Sequence, residues 1–365
     1  MAMKPVVPSA SALRWFAVVV APTALALGFL WAGGWVSPHR LTQRRVLASL
    51  GAVDWARPGF RRNHAKGVCV TGSFEGNGNA SPLSAASVFR RGQRTPVTGR
   101  FALAGGSPFQ ADAPSKVRSM ALRFMLPDGQ EWRTGMNDIP VFPVRTPQEF
   151  NDLQLASQPD PATGKPDPTR ANAFRAAHPW LKTAAGQIAH RPLSSGFADD
   201  TYRSLDSFMF VAENGTKTAV RWAMVPVQGV APAAGYVEDP NYLFRRLTDD
   251  IQSRALRWRL VVTVAGSRDV IDDASQGWAE DDRQIDAGTL TVTTVGSEEG
   301  GPCTGITFDP LILPQGIAPS GDPVLSARSA VYMRSFAARS GEKPAAPAVS
   351  PVSGAASGDA EGKQS

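Results

Sequence analysis

Two polar residues, His64 and Asn137, stand where they could take part in proton chemistry. His64 comes just before a strand-like stretch, and an imidazole at a strand edge can face a pocket and move protons near neutral pH. The side-chain amide of Asn137 could donate a fixed hydrogen bond to an oxygen on which charge develops. Taken singly, such a histidine is more often structural and such an asparagine more often caps a turn. Together they would suit cleavage of a peroxide, in which a proton leaves one oxygen and returns to the other.

Far downstream, Tyr332 follows Arg328 by four residues in a segment with helical periodicity, so both side chains share one face. A tyrosine ordinarily ionises at about pH 10. A neighbouring guanidinium and a ferric ion both favour the phenolate that binds iron. An isolated pair of this kind is usually part of an amphipathic helix with a solvent-facing arginine. Tyrosine is nevertheless a known ligand of haem iron, and Tyr332 is therefore the candidate metal ligand.

Three more arginines, Arg61, Arg100 and Arg339, could bind carboxylates. Arg61 lies three residues before His64, and Arg339 lies seven residues after Tyr332 along the same predicted helix. A guanidinium can bind a carboxylate through two parallel hydrogen bonds, and haem carries two propionates. Each arginine alone is more often a surface charge, so the hypothesis depends on the seven candidate residues acting together.

The elements that must position these residues follow from hydrophobic periodicity. Strands are predicted at 68–74, 121–126, 208–211, 219–224, 257–265 and 289–295. The dipeptide Asn214-Gly215 between two of them is typical of a β-hairpin turn. Helices are predicted at 41–54, 147–156, 169–177, 242–253 and 323–339, and the proline-rich stretch 157–170 predicts a loop. Strands in hairpin series with clustered helices indicate an α+β fold built on an antiparallel barrel.

The two ends of the chain differ from its centre. The uncharged run from Trp15 to Val36 suits a membrane-spanning helix better than the shorter apolar region of a cleaved signal. Residues 1–40 are therefore predicted to be a membrane anchor or an uncleaved signal, with the domain at 41–340 exported to the periplasmic side. A domain retained on the cytoplasmic side is the alternative. Residues 341–365, rich in Ala, Pro, Gly and Ser, are predicted to be disordered.

Composition narrows the class of protein. The 365-residue chain has a formal net charge of +6 with acidic residues interleaved, which argues against a nucleic-acid surface. Its two cysteines, Cys69 and Cys303, do not make a disulfide scaffold. Both lie in strand-like surroundings and are predicted to be buried thiols, with one bridge in an oxidising compartment as the alternative. The sequence does not define an oligomeric state.

Residues 48–340 resemble the haem catalase family, and most closely its shorter branch, the catalase-related peroxidases. Residues 61–67 match its Arg-x-x-His-Ala-x-Gly motif, and Asn137 lies three positions before a Pro-hydrophobic-Phe motif, as in the family. The runs 308–310 and 313–320 resemble the approach to the family's Arg-x-x-x-Tyr motif, which Arg328 and Tyr332 match.

This resemblance implies an antiparallel eight-stranded β-barrel with surrounding helices and a buried haem b. His64 and Asn137 would be the catalytic residues above the haem, and Tyr332 would bind the iron from below. The residues that would hold the haem itself, including a phenylalanine stacked on its distal face, are Arg61, Arg100, Phe150, Arg328 and Arg339.

The chain departs from the family pattern in three places. A family serine that orients the distal histidine is replaced by Ala102, which predicts a less fixed imidazole. Asn63 replaces a valine before that histidine and could hold peroxide or water differently. The long N-terminal arm and the C-terminal helical region of true catalases are missing, so organic reductants should reach the haem more easily. All three departures favour peroxidase activity over efficient catalase activity.

The sequence therefore predicts a haem peroxidase that reduces peroxide with small organic electron donors, with some catalase activity. One alternative is an enzyme of the same fold that rearranges lipid hydroperoxides. Two others are a haem-binding protein without turnover and a barrel that binds an apolar ligand without metal.

Overall fold

A computed structural model describes residues 10–33, 35, 40–54, 57–233, 235 and 237–351. The chain divides into two compact units, Met1–Thr42 and Gln43–Ser365. The first contains helix α1, Ala10–Ala32. Among the described residues, α1 is the one helix long and apolar enough to cross a membrane, and a signal sequence would meet the same criteria. The far end of the predicted apolar run, Val36, lies outside the described residues.

Ten strands of the second unit form one antiparallel sheet in the described part of the chain. They are β1 (Gly67–Gly76), β2 (Arg94–Leu103), β3 (Arg118–Met125), β4 (Glu131–Asn137), β5 (Tyr202–Arg203), β6 (Phe208–Val211), β7 (Lys217–Pro226), β8 (Leu256–Val264), β9 (Gln284–Gly296) and β10 (Ile317–Pro319). Eight of them, β1–β5 and β7–β9, close into a barrel because β7 pairs with both β5 and β8. Strands β6 and β10 extend the sheet beyond β7. The predicted α+β fold with an eight-stranded antiparallel barrel is confirmed.

The alternation of strand β4 decides which of its residues fill the core. Trp132, Thr134 and Met136 are buried, whereas the alternate positions, Arg133 and Gly135, are partly exposed. Trp132 stacks on Phe124 with ring centroids 4.6 Å apart and meets Trp222 edge-on at 5.1 Å. Because successive side chains of a strand point to opposite faces, Asn137 lies on the face that Trp132 does not use.

Six helices accompany the barrel among the described residues. They are α2 (Gln43–Asp54), α3 (Pro147–Ala156), α4 (Pro168–Ala177), α5 (Lys182–Ala189), α6 (Tyr242–Ser253) and α7 (Pro323–Ser340). Helices α2, α3 and α7 contact one another. Helix α7 begins with Pro323 in its first turn, and the Asp322 side chain accepts a hydrogen bond from the Val324 N–H at 2.8 Å. This proline and carboxylate are favourable at a helix start and fix where α7 leaves the preceding loop.

Most predicted elements match the structure. The helices at 147–156 and 242–253 and the strand at 208–211 have the predicted bounds. The Asn214-Gly215 turn joins β6 to β7, with Gly215 at a φ of 83°. The sequence patterns do not predict β2, β4, β5, β10 or α5. Strands β5 and β10 have only two and three residues, too few to show a period, and β2 contains a proline and a glycine.

Cys69 and Cys303 form a disulfide bond, so the prediction of two buried thiols is wrong. Cys69 lies on β1, which pairs with β9, and the chain places Cys303 beside it soon after β9 ends. The two residues are 234 positions apart, and barrel closure brings their Cα atoms within 5.4 Å. Strand-like surroundings in the sequence carry no information on such a long-range pairing.

The first part of the predicted C-terminal tail packs against the second unit. The Gly59 N–H donates a hydrogen bond to Glu342 Oε2 at 2.8 Å, and Arg62 forms an ion pair with Glu342. Val349 is buried in the main hydrophobic cluster. The packed chain therefore extends beyond residue 340, and residues 352–365 lie outside the described residues.

Candidate functional site

One cavity brings together every residue that the sequence predicts for the site. Its walls come from α2, α3, α7 and the strands β2, β3 and β4, and its empty volume, including the opening to solvent, is about 1330 Å³. The predicted residues lining it are Arg61, His64, Arg100, Asn137, Phe150, Arg328, Tyr332 and Arg339.

The backbone holds His64 in an unusual conformation just before β1. Its φ of 53° lies in the left-handed region, which few residues other than glycine adopt. The Asn63 side-chain oxygen accepts hydrogen bonds from the His64 N–H at 2.8 Å and from the Gly105 N–H at 2.9 Å. These bonds give Asn63 a backbone-holding task that differs from the predicted contact with peroxide or water.

A serine outside the predicted set fixes the His64 ring. Ser119 Oγ lies 2.7 Å from His64 Nδ1, and the Ser119 hydroxyl donates to Asn137 Oδ1 at 2.8 Å. The less fixed imidazole expected from Ala102 is therefore wrong. The hydroxyl comes instead from strand β3, next to the strand that carries Ala102.

The electrostatic surroundings keep His64 neutral. Removal from water and the positive charges of Arg100, Arg328 and Arg61 lower the pKa of His64 from 6.5 to about 3. Both causes disfavour the charged imidazolium. At neutral pH the ring can therefore accept a proton from a molecule in the cavity.

Helix α7 presents Arg328 and Tyr332 to the same cavity. Arg328 Nη2 lies 3.5 Å from Tyr332 Oη and donates to the Gly135 carbonyl oxygen at 3.2 Å. Gly135 leaves room beside them, because a Cβ atom there would lie 3.3 Å from Arg328 Nη2 and 3.9 Å from Tyr332 Oη. The Ser329 hydroxyl donates to Asp309 Oδ2 at 2.7 Å and anchors the helix to the loop before it.

Asp206, a buried carboxylate, forms an ion pair with Arg328. Burial alone would lower the pKa of Arg328, but the negative charge of Asp206 and the Tyr332 hydroxyl outweigh it and raise that pKa above its ordinary value. Arg328 therefore keeps a full positive charge beside the Tyr332 oxygen. Such a charge stabilises a phenolate.

A group of arginines lines another part of the cavity. Arg100 binds Glu298 through Nε at 2.8 Å and Nη2 at 2.7 Å, and Arg61 Nε lies 3.3 Å from the same carboxylate. Arg61 also donates to the Cys303 and Ile306 carbonyl oxygens, each at 3.1 Å. The loop that the disulfide attaches to β1 thus supplies several partners of this group.

The arginine group carries more positive charge than Glu298 can neutralise. Burial and the neighbouring charge of Arg100 lower the pKa of Arg61 to about 9, with Arg339 adding to the repulsion. Arg339 itself donates to the Thr304 carbonyl oxygen at 3.0 Å. Further carboxylates would relieve this repulsion, so the site fits a ligand that carries carboxylates.

Aromatic side chains supply a flat apolar wall. Phe150, on α3, stacks on Phe142 with ring centroids 5.9 Å apart and an interplanar angle of 25°. Both rings line the cavity together with Val46 and Leu50 of α2. A large planar ring system with acidic substituents would therefore find apolar faces and a cationic rim.

The sequence reasoning missed Ser119, Asp206 and Glu298. Ser119 lies two residues before the predicted strand 121–126, and extending that strand would have placed it on the face of Ala121. Asp206 and Glu298 lie in connections between strands, where an acidic residue is usually exposed. No local pattern marks them as partners of arginines.

The chain is similar to catalases and to proteins named catalase-related peroxidase. The family model described as catalase matches residues 36–352. A catalase-related peroxidase of Synechococcus elongatus is 34% identical over 329 residues, which are 89% of this chain and 96% of that protein. A catalase-related peroxidase of Mycolicibacterium paratuberculosis is 31% identical over 306 residues, covering 82% of this chain and 96% of that protein.

Solved structures show the same fold. A fungal catalase superposes with a TM-score of 0.71 at 19% identity and covers 78% of this chain. The chain spans 59% of the length of that catalase. A bacterial catalase superposes with a TM-score of 0.67 at 19% identity, covering 83% of this chain and 62% of its own.

Proposed function

Since the chain belongs to the catalase family, we propose that it is a haem peroxidase that reduces hydrogen peroxide or organic hydroperoxides with small organic electron donors. Weak catalase activity accompanies this reaction. The observation that carries the proposal is the meeting of His64, Asn137 and Tyr332 in one cavity. A relative that is 34% identical over most of the chain bears the name catalase-related peroxidase, which supports the same conclusion.

The residues of the cavity fit haem b. Tyr332 would bind the iron, with Arg328 stabilising its phenolate. Arg61, Arg100 and Arg339 would pair with the propionates, and Phe150 would pack against the ring. When bound, the haem supplies the iron at which peroxide is reduced.

The distal residues move and hold protons. His64, neutral at physiological pH, takes a proton from one peroxide oxygen and returns it to the leaving oxygen, which departs as water. The Asn137 amide donates a hydrogen bond that orients the peroxide. His64 thus transfers the proton, and Asn137 supplies a fixed hydrogen-bond donor.

An absorption spectrum tests the proposal directly. Protein purified from haem-replete cells should show a Soret band that changes on addition of hydrogen peroxide and returns when a phenolic donor is added. Tyr332→Phe should lose most of its haem, because a phenyl ring offers no oxygen to iron. Tyr242→Phe, on α6, is the matched control and should retain haem.

Two results would contradict the proposal. A colourless wild-type preparation would exclude a haem enzyme, and equal haem content in Tyr332→Phe would exclude the assigned ligand. Product analysis with a fatty-acid hydroperoxide covers the lipid alternative, since rearranged lipid without donor consumption would indicate that chemistry instead.

We further propose that the enzyme is held at a membrane by α1 and acts on the periplasmic side. Helix α1 has the length and composition of a membrane span. The disulfide between Cys69 and Cys303 supports an oxidising compartment, where such bonds persist. Protease treatment of spheroplasts should therefore degrade the domain.

A further inference from the structure

The hydroxyl of Ser119 lies between the two distal residues. Ala102 on β2, Ser119 on β3 and Asn137 on β4 are direct cross-strand partners and form one row across the sheet. Side chains of such partners point to the same face. The row brings Ser119 Oγ within 2.7 Å of His64 Nδ1 and 2.8 Å of Asn137 Oδ1. Ser119 is itself buried, at 7% exposure.

A serine hydroxyl has one hydrogen to donate, so the two bonds fix each other's direction. The Ser119 hydroxyl donates to Asn137 Oδ1 and can then only accept from His64 Nδ1. His64 is neutral, so a proton on Nδ1 leaves Nε2 with a free lone pair. With Oδ1 of Asn137 engaged, its Nδ2 hydrogens remain as the donors of that amide.

We propose that Ser119 is a positioning residue that sets both the histidine tautomer and the orientation of the asparagine amide. The inference rests on the proposed function, because it assigns how His64 becomes a base and Asn137 a donor. If both bonds ran in the opposite direction, His64 would present an Nε2–H to the substrate and Asn137 its amide oxygen. His64 could then not accept a proton, and Asn137 could not donate a hydrogen bond. A single hydroxyl thus decides the polarity of the whole distal side.

The test uses the haem-loaded enzyme and two small probes. Hydrogen cyanide must give up a proton as it binds ferric haem, whereas nitric oxide binds without proton transfer. In Ser119→Ala, association of hydrogen cyanide and the reaction with hydrogen peroxide should each slow by roughly tenfold or more. Association of nitric oxide should stay within twofold of wild type. Ser115→Ala, an exposed serine before β3, is the matched control and should change none of the three rates.

A second variant separates the hydroxyl from the packing of β3. Ala102→Ser combined with Ser119→Ala returns a hydroxyl one strand away, on the face shared with Ser119. It should restore most of the cyanide rate. The rate of reaction with hydrogen peroxide should recover less, because the new hydroxyl on β2 is two strands away from Asn137 on β4. Ser119→Cys keeps the volume but offers only a weak donor, and it should behave like Ser119→Ala.

The outcomes distinguish this inference from the proposed function. Wild-type protein without a peroxide-sensitive Soret band would contradict the function. If the wild type reacts but Ser119→Ala keeps its cyanide and peroxide rates, the positioning role is wrong. An equal fall of all three rates would indicate a structural role only, and no recovery in the double variant would show that the hydroxyl–imidazole bond is not the cause.

Discussion

Removing the carboxylate of Glu298 should destabilise the haem-free protein strongly. Glu298 accepts two short hydrogen bonds from Arg100, whose side chain is 3% exposed, and also pairs with Arg61. Removing one partner of a buried ion pair costs about 3–5 kcal/mol, because the other charge stays buried without compensation. The Glu298 side chain is 18% exposed, so the lower end applies. We expect Glu298→Ala to lower the free energy of unfolding by about 3 kcal/mol, or about 5 °C in Tm for a domain of this size.

Lowering the pH should reduce the difference in stability between wild type and Glu298→Ala. Burial would raise the pKa of the Glu298 carboxyl, but the charges of Arg100 and Arg61 outweigh it and hold that pKa below its ordinary value of 4.5. A lowered folded-state pKa stabilises the protein fully above the ordinary pKa and stops doing so as the pH falls through the lowered value. The gap between wild type and Glu298→Ala should therefore be constant near neutral pH and shrink below about pH 4.

Thermal unfolding followed by circular dichroism, with and without haem, gives the measurement. Glu299→Ala removes an exposed neighbouring carboxylate and should leave the Tm unchanged. In the haem-loaded protein the deficit of Glu298→Ala should be smaller, because the propionates would supply carboxylates to the same arginines. Equal Tm values for the haem-free Glu298→Ala and Glu299→Ala variants would refute the reasoning, and an undiminished deficit with haem would place the propionates elsewhere.

Two further predictions concern His64 and the disulfide. His64→Ala should keep its haem but react with peroxide about a hundredfold more slowly. Because the pKa of His64 is lowered to about 3, the wild-type rate constant in stopped-flow measurements should stay flat from pH 8 to about 4 and fall only below that, whereas a rise through pH 6–7 would contradict the neutral base. Replacing both Cys69 and Cys303 with alanine should lower the free energy of unfolding by about 2–5 kcal/mol, measured with urea, and an unchanged midpoint would show that the bond does not stabilise the fold.

The sequence predicts the parts of this molecule that depend on local order. Arg328 and Tyr332 share a helix face through their spacing alone, and the turn at Asn214-Gly215 follows from its conformational preference. The motifs also identify His64, Asn137 and Tyr332, which line one cavity. Contacts that depend on the register of neighbouring strands cannot be predicted from local spacing. Ser119 reaches His64 only because β2, β3 and β4 align in one row.

Ion pairs and the disulfide between residues far apart in the chain could not be predicted for the same reason. Asp206 lies far along the chain from Arg328, and Glu298 lies far from Arg100, so neither pair leaves a periodic signal. The same holds for the disulfide, which the sequence leaves as two cysteines in strand-like surroundings. Each of these contacts joins elements that are distant in the chain and meet only in the folded molecule.

The cavity wall imposes an order of events on biosynthesis. Val46, early in the sequence, and Arg339, late in it, line the same cavity. The barrel can close only after β9 has been synthesised, because β9 pairs with β1. A ribosome-bound chain lacking α7 has neither Tyr332 nor the other residues that α7 contributes to the wall. Cofactor capture must therefore follow synthesis, and for a domain folded beyond a membrane it must follow translocation. The cell would then have to deliver haem to the far side of that membrane, where the last helix arrives.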